Sequence, residues 1–286
     1  MRSVKDFRSA SGKAEALDWL DQLGSDAQVL AGGTDVMIQY PRGELSPEVL
    51  LHIERIDELR GIESNGRIQL GALTTHSDLA QSPLAATRFP ALSEAARTVG
   101  GWQTQAVGTV GGNLCNASPA ADLVPPLLVA DAQVTLESVE QQRTMPLRDF
   151  IQGRRQTARA PNELLTGISV EPISDNEGEV YLKVGRRGAM EVAIVGLAAR
   201  LAFDPEGTIR DARVAVCSVA PKPYRATAAE TALIGTRADK PNADAGELLA
   251  ESTSPIDDAR SLASYRMAVM APLLVRAIAI CQDRAA

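Results

Sequence analysis

Apolar positions recur along the chain with two different periods, and where the period changes the chain divides. From Lys13 to Leu23, Ala14, Leu17, Leu20 and Leu23 fall three residues apart among charged neighbours, which predicts a short amphipathic helix stopped by Gly24. Val29-Leu30 predicts a strand running into Ala31-Gly32-Gly33-Thr34-Asp35, after which Val36-Met37-Ile38 resumes the apolar pattern as a short helix or strand. Val49 to Ile53 and Arg67 to Ala72 read as strands, the second entered through an Asn65-Gly66 turn and so one arm of a hairpin. Thr75 to Leu79 offers hydroxyl and carboxylate helix caps, and Leu92, Ala95, Ala96 and Val99 share one helical face before Gly100-Gly101.

Leu123 to Ala130 is apolar with Pro125-Pro126 near its start, as in a proline-initiated helical turn, and Ala132 to Glu137 alternates like a strand. Beyond Glu163 come longer alternating runs: Leu164 to Glu171, Val180 to Val184, Val192 to Phe203 and Ile209 to Val219. Turns at Asp175 to Gly178 and Asp204 to Gly207 separate them, which predicts an antiparallel meander. The tail is helical over Ala226 to Leu233, Ala243 to Leu249 and Ala259 to Ala279. Its last stretch carries a stripe of Leu262, Tyr265, Val269, Leu273 and Ala277, and Pro272 must kink or restart that helix. With no internal repeat, the pattern describes two α+β lobes followed by a helical end.

Composition narrows the function classes. A chain of 286 residues with 45% hydrophobic content can bury a sizeable core, and a net charge of −7 without a basic run argues against nucleic-acid or anionic-membrane binding. No uninterrupted apolar run approaches the roughly 20 residues of a membrane span, and Met1 to Asp6 lacks a leader's apolar core, so a cytoplasmic location is the expectation. Cys115, Cys217 and Cys281 are too scattered for an iron–sulfur or zinc site and read as small buried hydrophobes.

The chemistry concentrates in two glycine stretches, Ala31 to Asp35 and Thr109 to Asp122. Each joins adjacent glycines to hydroxyls (Thr34; Thr109, Ser118) and to amides or acids (Asp35; Asn113, Asn116, Asp122). Backbone N–H groups in such turns suit a pyrophosphate, and the polar side chains suit ribose hydroxyls. The chain lacks G-x-G-x-x-G and G-x-x-x-x-G-K-[ST], so a dinucleotide would be held without a Rossmann fingerprint or P-loop. His52 and His76 are the two histidines, which excludes a histidine-rich metal site. His52, in an apolar strand, reads as a core or edge residue; His76, beside Thr75 and Asp78, reads as either a cap residue or a cofactor contact.

These stretches, the continuation Ala117-Ser118-Pro119-Ala120-Ala121-Asp122-Leu123-Val124-Pro125-Pro126 and the tail segment Asp257 to Arg266 resemble the FAD-binding medium subunit of the molybdenum hydroxylases, the xanthine dehydrogenase and aerobic carbon monoxide dehydrogenase family. The resemblance spans nearly the whole chain. It implies an α+β FAD-binding fold of the vanillyl-alcohol oxidase type over residues 1–174, with subdomains of about 1–55 and 56–174. A C-terminal domain with a three-stranded antiparallel sheet and a helical bundle would occupy 175–286. It also implies FAD held by Leu30, Ala31, Gly32, Gly33, Thr34, Asp35, His76, Thr109, Val110, Gly111, Gly112, Asn113, Ser118, Ala121, Asp122 and Lys183, with no catalytic side chain and no metal in this chain. Asp122 matches an acid that contacts the adenosine ribose, and Lys183 a lysine near the flavin, although Lys183 also reads as a solvated strand lysine.

By the same resemblance, a small partner subunit carries two [2Fe-2S] clusters and a large one the molybdenum cofactor, in a dimer of heterotrimers. This chain would pass electrons from the clusters to an external acceptor. A self-contained FAD oxidoreductase with its own substrate is the alternative. Two departures from the family pattern stand out: Gln105-Ala106 replaces an Arg-Asn pair, and Glu191 stands where an aspartate is usual.

Overall fold

A computed structural model describes residues 4–188, 190–240 and 243–285; Met1 to Ser3, part of the segment read above for a leader, lie outside them. The chain opens with β1 (Asp6–Ser9), α1 (Lys13–Leu23), β2 (Ala27–Leu30), α2 (Val36–Gln39) and β3 (Val49–His52). The strands form a parallel sheet in the order β1-β3-β2. Its core is covered by α1 through Ala16, Leu17 and Leu20; Ala14, placed on this stripe by spacing, is exposed instead. Gly24 ends α1 with a φ of 50°, as its position after the periodic stretch predicts.

A hairpin of β4 (Ile62–Asn65) and β5 (Arg67–Gly71) turns at Gly66 and leads into a run of short helices. These are α3 (His76–Gln81), α4 (Pro83–Arg88), α5 (Pro90–Thr98), α6 (Trp102–Val107), α7 (Val110–Asn116) and α8 (Val124–Val129). Thr75 caps α3 in a reciprocal capping box with Asp78. The chain returns as β6 (Gln133–Glu137), β7 (Gln142–Pro146), α9 (Leu147–Phe150), β8 (Ile151–Gly153), β9 (Gln156–Thr157) and β10 (Leu164–Val170).

β10 corrects the meander expected from the pattern. It lies between β5 and β6 in a five-stranded antiparallel sheet of order β4-β5-β10-β6-β7 rather than with the strands that follow it. Alternation marks a strand as half-buried but carries no information on its partner, which here is fixed by packing on the helices. The largest core fills the space between this sheet and α3, α5, α7 and α8.

The meander proper is β11 (Glu177–Val184), β12 (Val195–Phe203) and β13 (Ile209–Cys217), three long strands to which β14 (Tyr224–Arg225) adds a two-residue edge. Helices α10 (Thr227–Leu233), α11 (Ala243–Glu251), α12 (Ala263–Ala268) and α13 (Met270–Ala285) cover one face. The tail breaks at Val269 and restarts with Pro272 in the first turn of α13, where a missing N–H costs nothing. That restart shifts the helical phase. Met270, Leu274, Ala277, Ile278 and Cys281 are buried, while Leu262 and Tyr265 from the expected stripe are exposed. By length and composition alone the stretch Ala263–Ala285 could cross a membrane, but its apolar side here is packed on the sheet.

Candidate functional site

The two glycine stretches meet. A methyl group at Gly32 would fall 1.8 Å from the Val107 carbonyl oxygen, so only glycine lets the turn after β2 touch the end of α6. Gly33 adopts a φ of 70°. Met37 donates to the Gly33 carbonyl at 3.0 Å, starting α2, while the N–H groups of Gly32, Gly33 and Thr34 have no acceptor within the described chain. Three consecutive free N–H groups around a left-handed residue form the concave backbone arrangement that receives an anion. Ala31 to Thr34 are half-buried, Asp35 is exposed and Leu30 is buried beneath them.

The second stretch differs from the expected loop. Val110 to Asn116 is helical, with Thr109 as its N-cap, and its first N–H groups are already engaged. Val110 donates to Thr74 O (2.9 Å), Gly111 to Ala72 O (2.8 Å), Gly112 to Thr109 Oγ1 (3.0 Å) and Asn113 to Thr109 O (3.0 Å). Gly111 is buried, and a Cβ there would lie 2.8 Å from the Ala72 oxygen, so this glycine serves the approach of α7 to the end of β5. Gly112 is exposed and meets only its own cap, leaving bare backbone on the side of the junction that faces solvent.

Two buried atoms at this junction lack partners: His76 Nδ1 and Asn113 Oδ1. His76 begins α3, its N–H donates to Gly108 O at 3.0 Å, and its ring lies against Gly108, where an added Cβ would be 2.9 Å from Cδ2. Burial pushes its pKa down to about 4, so the ring is neutral near pH 7. His52, by contrast, is half-buried, stacked on Phe7 and bonded to Ser9 and Glu54. A polar dinucleotide fits a site with free N–H groups, bare glycine backbone and unsatisfied buried acceptors.

Behind the junction lies Asp122, buried and tied to the C-terminal sheet. Its Oδ1 accepts from Tyr181 Oη at 2.6 Å and its Oδ2 from Lys183 Nζ at 2.8 Å; Lys183 also donates to Thr98 O. Burial raises the Asp122 carboxyl above its ordinary range, opposed by the Lys183 charge and both hydrogen bonds. Tyr181, its pKa raised by burial and by the Asp122 charge, stays a donor. Lys183 is therefore a paired lysine, not a solvated one. Ser118 Oγ accepts from Ala120 N, Ala121 is buried, and Pro119 O receives the N–H of Ser218 at 2.7 Å. Tyr181 went unnoticed in the sequence because nothing local links it to Asp122. Gln39 escaped for the same reason; it joins α2 to Asn116 of α7, one of the amides singled out in the sequence, at 2.8 Å.

Residues 5–172 match the model for the FAD binding domain in molybdopterin dehydrogenase, and residues 180–280 the CO dehydrogenase flavoprotein C-terminal domain. The chain belongs to the FAD-binding medium subunits of the molybdenum hydroxylases. It is 31% identical over 278 residues to the carbon monoxide dehydrogenase medium chain of Hydrogenophaga pseudoflava, covering 96% of this chain and 95% of the relative. The glyceraldehyde dehydrogenase medium chain of Sulfolobus acidocaldarius is 33% identical over 94% of this chain and 95% of its own length. The solved carbon monoxide dehydrogenase of Hydrogenophaga pseudoflava lacking the Mo-pyranopterin moiety superposes with a TM-score of 0.92, at 32% identity and full coverage of both chains. This medium subunit is thus an oxidoreductase component with FAD as its cofactor and the α+β fold that the resemblance implied. Among the described residues no group of three His, Cys, Asp or Glu could hold a metal ion.

Proposed function

We propose that this medium subunit holds FAD across the junction of its two glycine stretches and relays electrons from [2Fe-2S] clusters of a small partner subunit to an external acceptor. The observation that carries the proposal is the run of free N–H groups at Gly32, Gly33 and Thr34, set against the bare backbone of Gly112. When bound, FAD supplies the redox chemistry. The chain's own part is to bind and orient it: the turn after β2 receives the pyrophosphate, Thr109 to Asn113 lines the opposite wall, and His76 Nδ1 and Asn113 Oδ1 offer acceptors for ribose or ring donors. Leu30, Val110, Ser118 and Ala121 back these surfaces, and the Asp122–Lys183 pair stands beside them with its charges already matched.

The Hydrogenophaga pseudoflava relative is named as a medium chain and the superposed structure as a carbon monoxide dehydrogenase with a molybdenum cofactor, which supports a large molybdenum-cofactor partner; assembly as a dimer of heterotrimers in the cytoplasm is part of the same proposal. The gap between β10 and β11 supports a division into an FAD-binding domain of 1–174 and a C-terminal domain of 175–286, and the separate parallel sheet supports subdomains of about 1–55 and 56–174. The packed apolar side of α13 supports a chain without a membrane span. Co-purification tests the partner relay. Flavin in the isolated chain should be reduced by a reduced [2Fe-2S] partner, and substrate turnover by the isolated chain would favour a self-contained oxidoreductase.

A further inference from the structure

Between α2 and α7 the side chain of Asn116 bridges the two helices. Its Oδ1 accepts from Nε2 of Gln39, which is buried, at 2.8 Å, and it stands near enough to the Asp35 carboxyl to oppose, with Arg155, the upward push that burial gives that group. Gln39 is the last residue of α2 and Asp35 its N-cap, so the Gln39–Asn116 bond ties the C-terminal end of the helix that follows the first glycine turn to the end of α7. The next residue, Ala117, closes α7 in the left-handed region with a φ of 45°, and its carbonyl receives the N–H of Arg155 at 2.9 Å. Arg155 in turn pairs with Glu44 at 3.2 Å, just beyond α2. On the opposite side the turn after β2 comes against the end of α6, where Gly32 lies next to the Val107 carbonyl. Asn116 is thus the direct side-chain link between α2 and α7 at the far end of the junction.

We infer that Asn116 is a positioning residue for the dinucleotide: with Gln39 it fixes the separation between the free N–H groups of the first turn and the bare backbone of Gly112. The inference rests on the FAD site proposed above. An apolar side chain at either position removes the bond and leaves its partner amide unpaired, so the loops move apart and FAD binding weakens by roughly tenfold to a hundredfold.

The test is FAD titration of the full-length, flavin-depleted chain, followed by flavin fluorescence, for the wild type, Gln39→Leu, Asn116→Leu and the double variant. Each single change should raise Kd, the double should raise it no further than the worse single, and visible circular dichroism at saturation should shift as the bound flavin reorients. Asn116→Asp covers a failure of the leucine variants to fold. It is isosteric and still accepts from Gln39, but sets a second carboxylate against Asp35, and it too should weaken FAD. A wild-type Kd and spectrum in these variants, or additive losses in the double, would overturn the pairing. A wild-type chain that takes up no FAD would instead sink the cofactor site beneath it.

Discussion

His76 holds a neutral ring in the folded chain because burial disfavours the imidazolium, lowering its pKa from 6.5 to about 4. Between those two values the unfolded chain binds a proton that the folded chain refuses, so stability falls as pH falls across that window, by roughly 3 kcal/mol in all. Urea unfolding of flavin-free protein from pH 7 to pH 4 should show this loss, and His76→Gln should flatten it; parallel acid limbs would contradict the buried neutral ring. The glycines divide just as sharply. Gly32 and Gly111 admit neighbouring backbone, so enlarging either disturbs the fold, whereas Gly112 is exposed. Gly112→Leu should keep the melting temperature near that of the wild type, within the ~0.5 kcal/mol usual for surface changes, yet lose flavin. Retention of flavin absorbance in that variant would remove α7 from the site. The glycine pairs were legible in the sequence, but which member faces solvent was not, because that depends on Ala72, a contact from the turn after β5.

At the scale of elements, the period of the apolar pattern located most helices and strands, and caps such as Thr75 and Gly24 fixed their ends. It misread Val110 to Asn116, where two glycines argue against a helix; the Thr109 cap and the carbonyls of Thr74 and Ala72 outweigh that propensity. It also misassigned β10, whose neighbours are distant in sequence. The tail segment that carried part of the family likeness acts as a clamp. Arg266, 1% exposed, donates to Ile194 O (3.1 Å), Ser218 O (2.6 Å) and Asp258 Oδ1 (2.8 Å), binding α12 to the ends of β12 and β13. Asp258→Ala strips this buried guanidinium of its carboxylate and should destabilise the chain by about 3 kcal/mol, read as a lowered melting temperature. An unchanged melt would mean that the clamp carries no weight.

At the scale of the molecule, the C-terminal sheet and the α-helical layer meet through buried polar links as well as apolar packing. Glu179 pairs with Arg200 at 2.6 Å and accepts the Ala91 N–H, Asp122 pairs with Lys183, and Tyr181, Ala198 and Ala215 join the largest core. Such a junction should make unfolding cooperative, and calorimetry should record one transition; two well-separated ones would show that the halves melt independently. None of these cross-links was visible in the sequence, since each joins residues about 20 to 90 positions apart. The family likeness nonetheless pointed to the same two stretches that the fold brings together. The flavin content of the purified full-length chain tests the central claim most directly. Denaturation should release about one non-covalent FAD per chain into the supernatant. A folded, colourless protein that releases none and takes none up would contradict it.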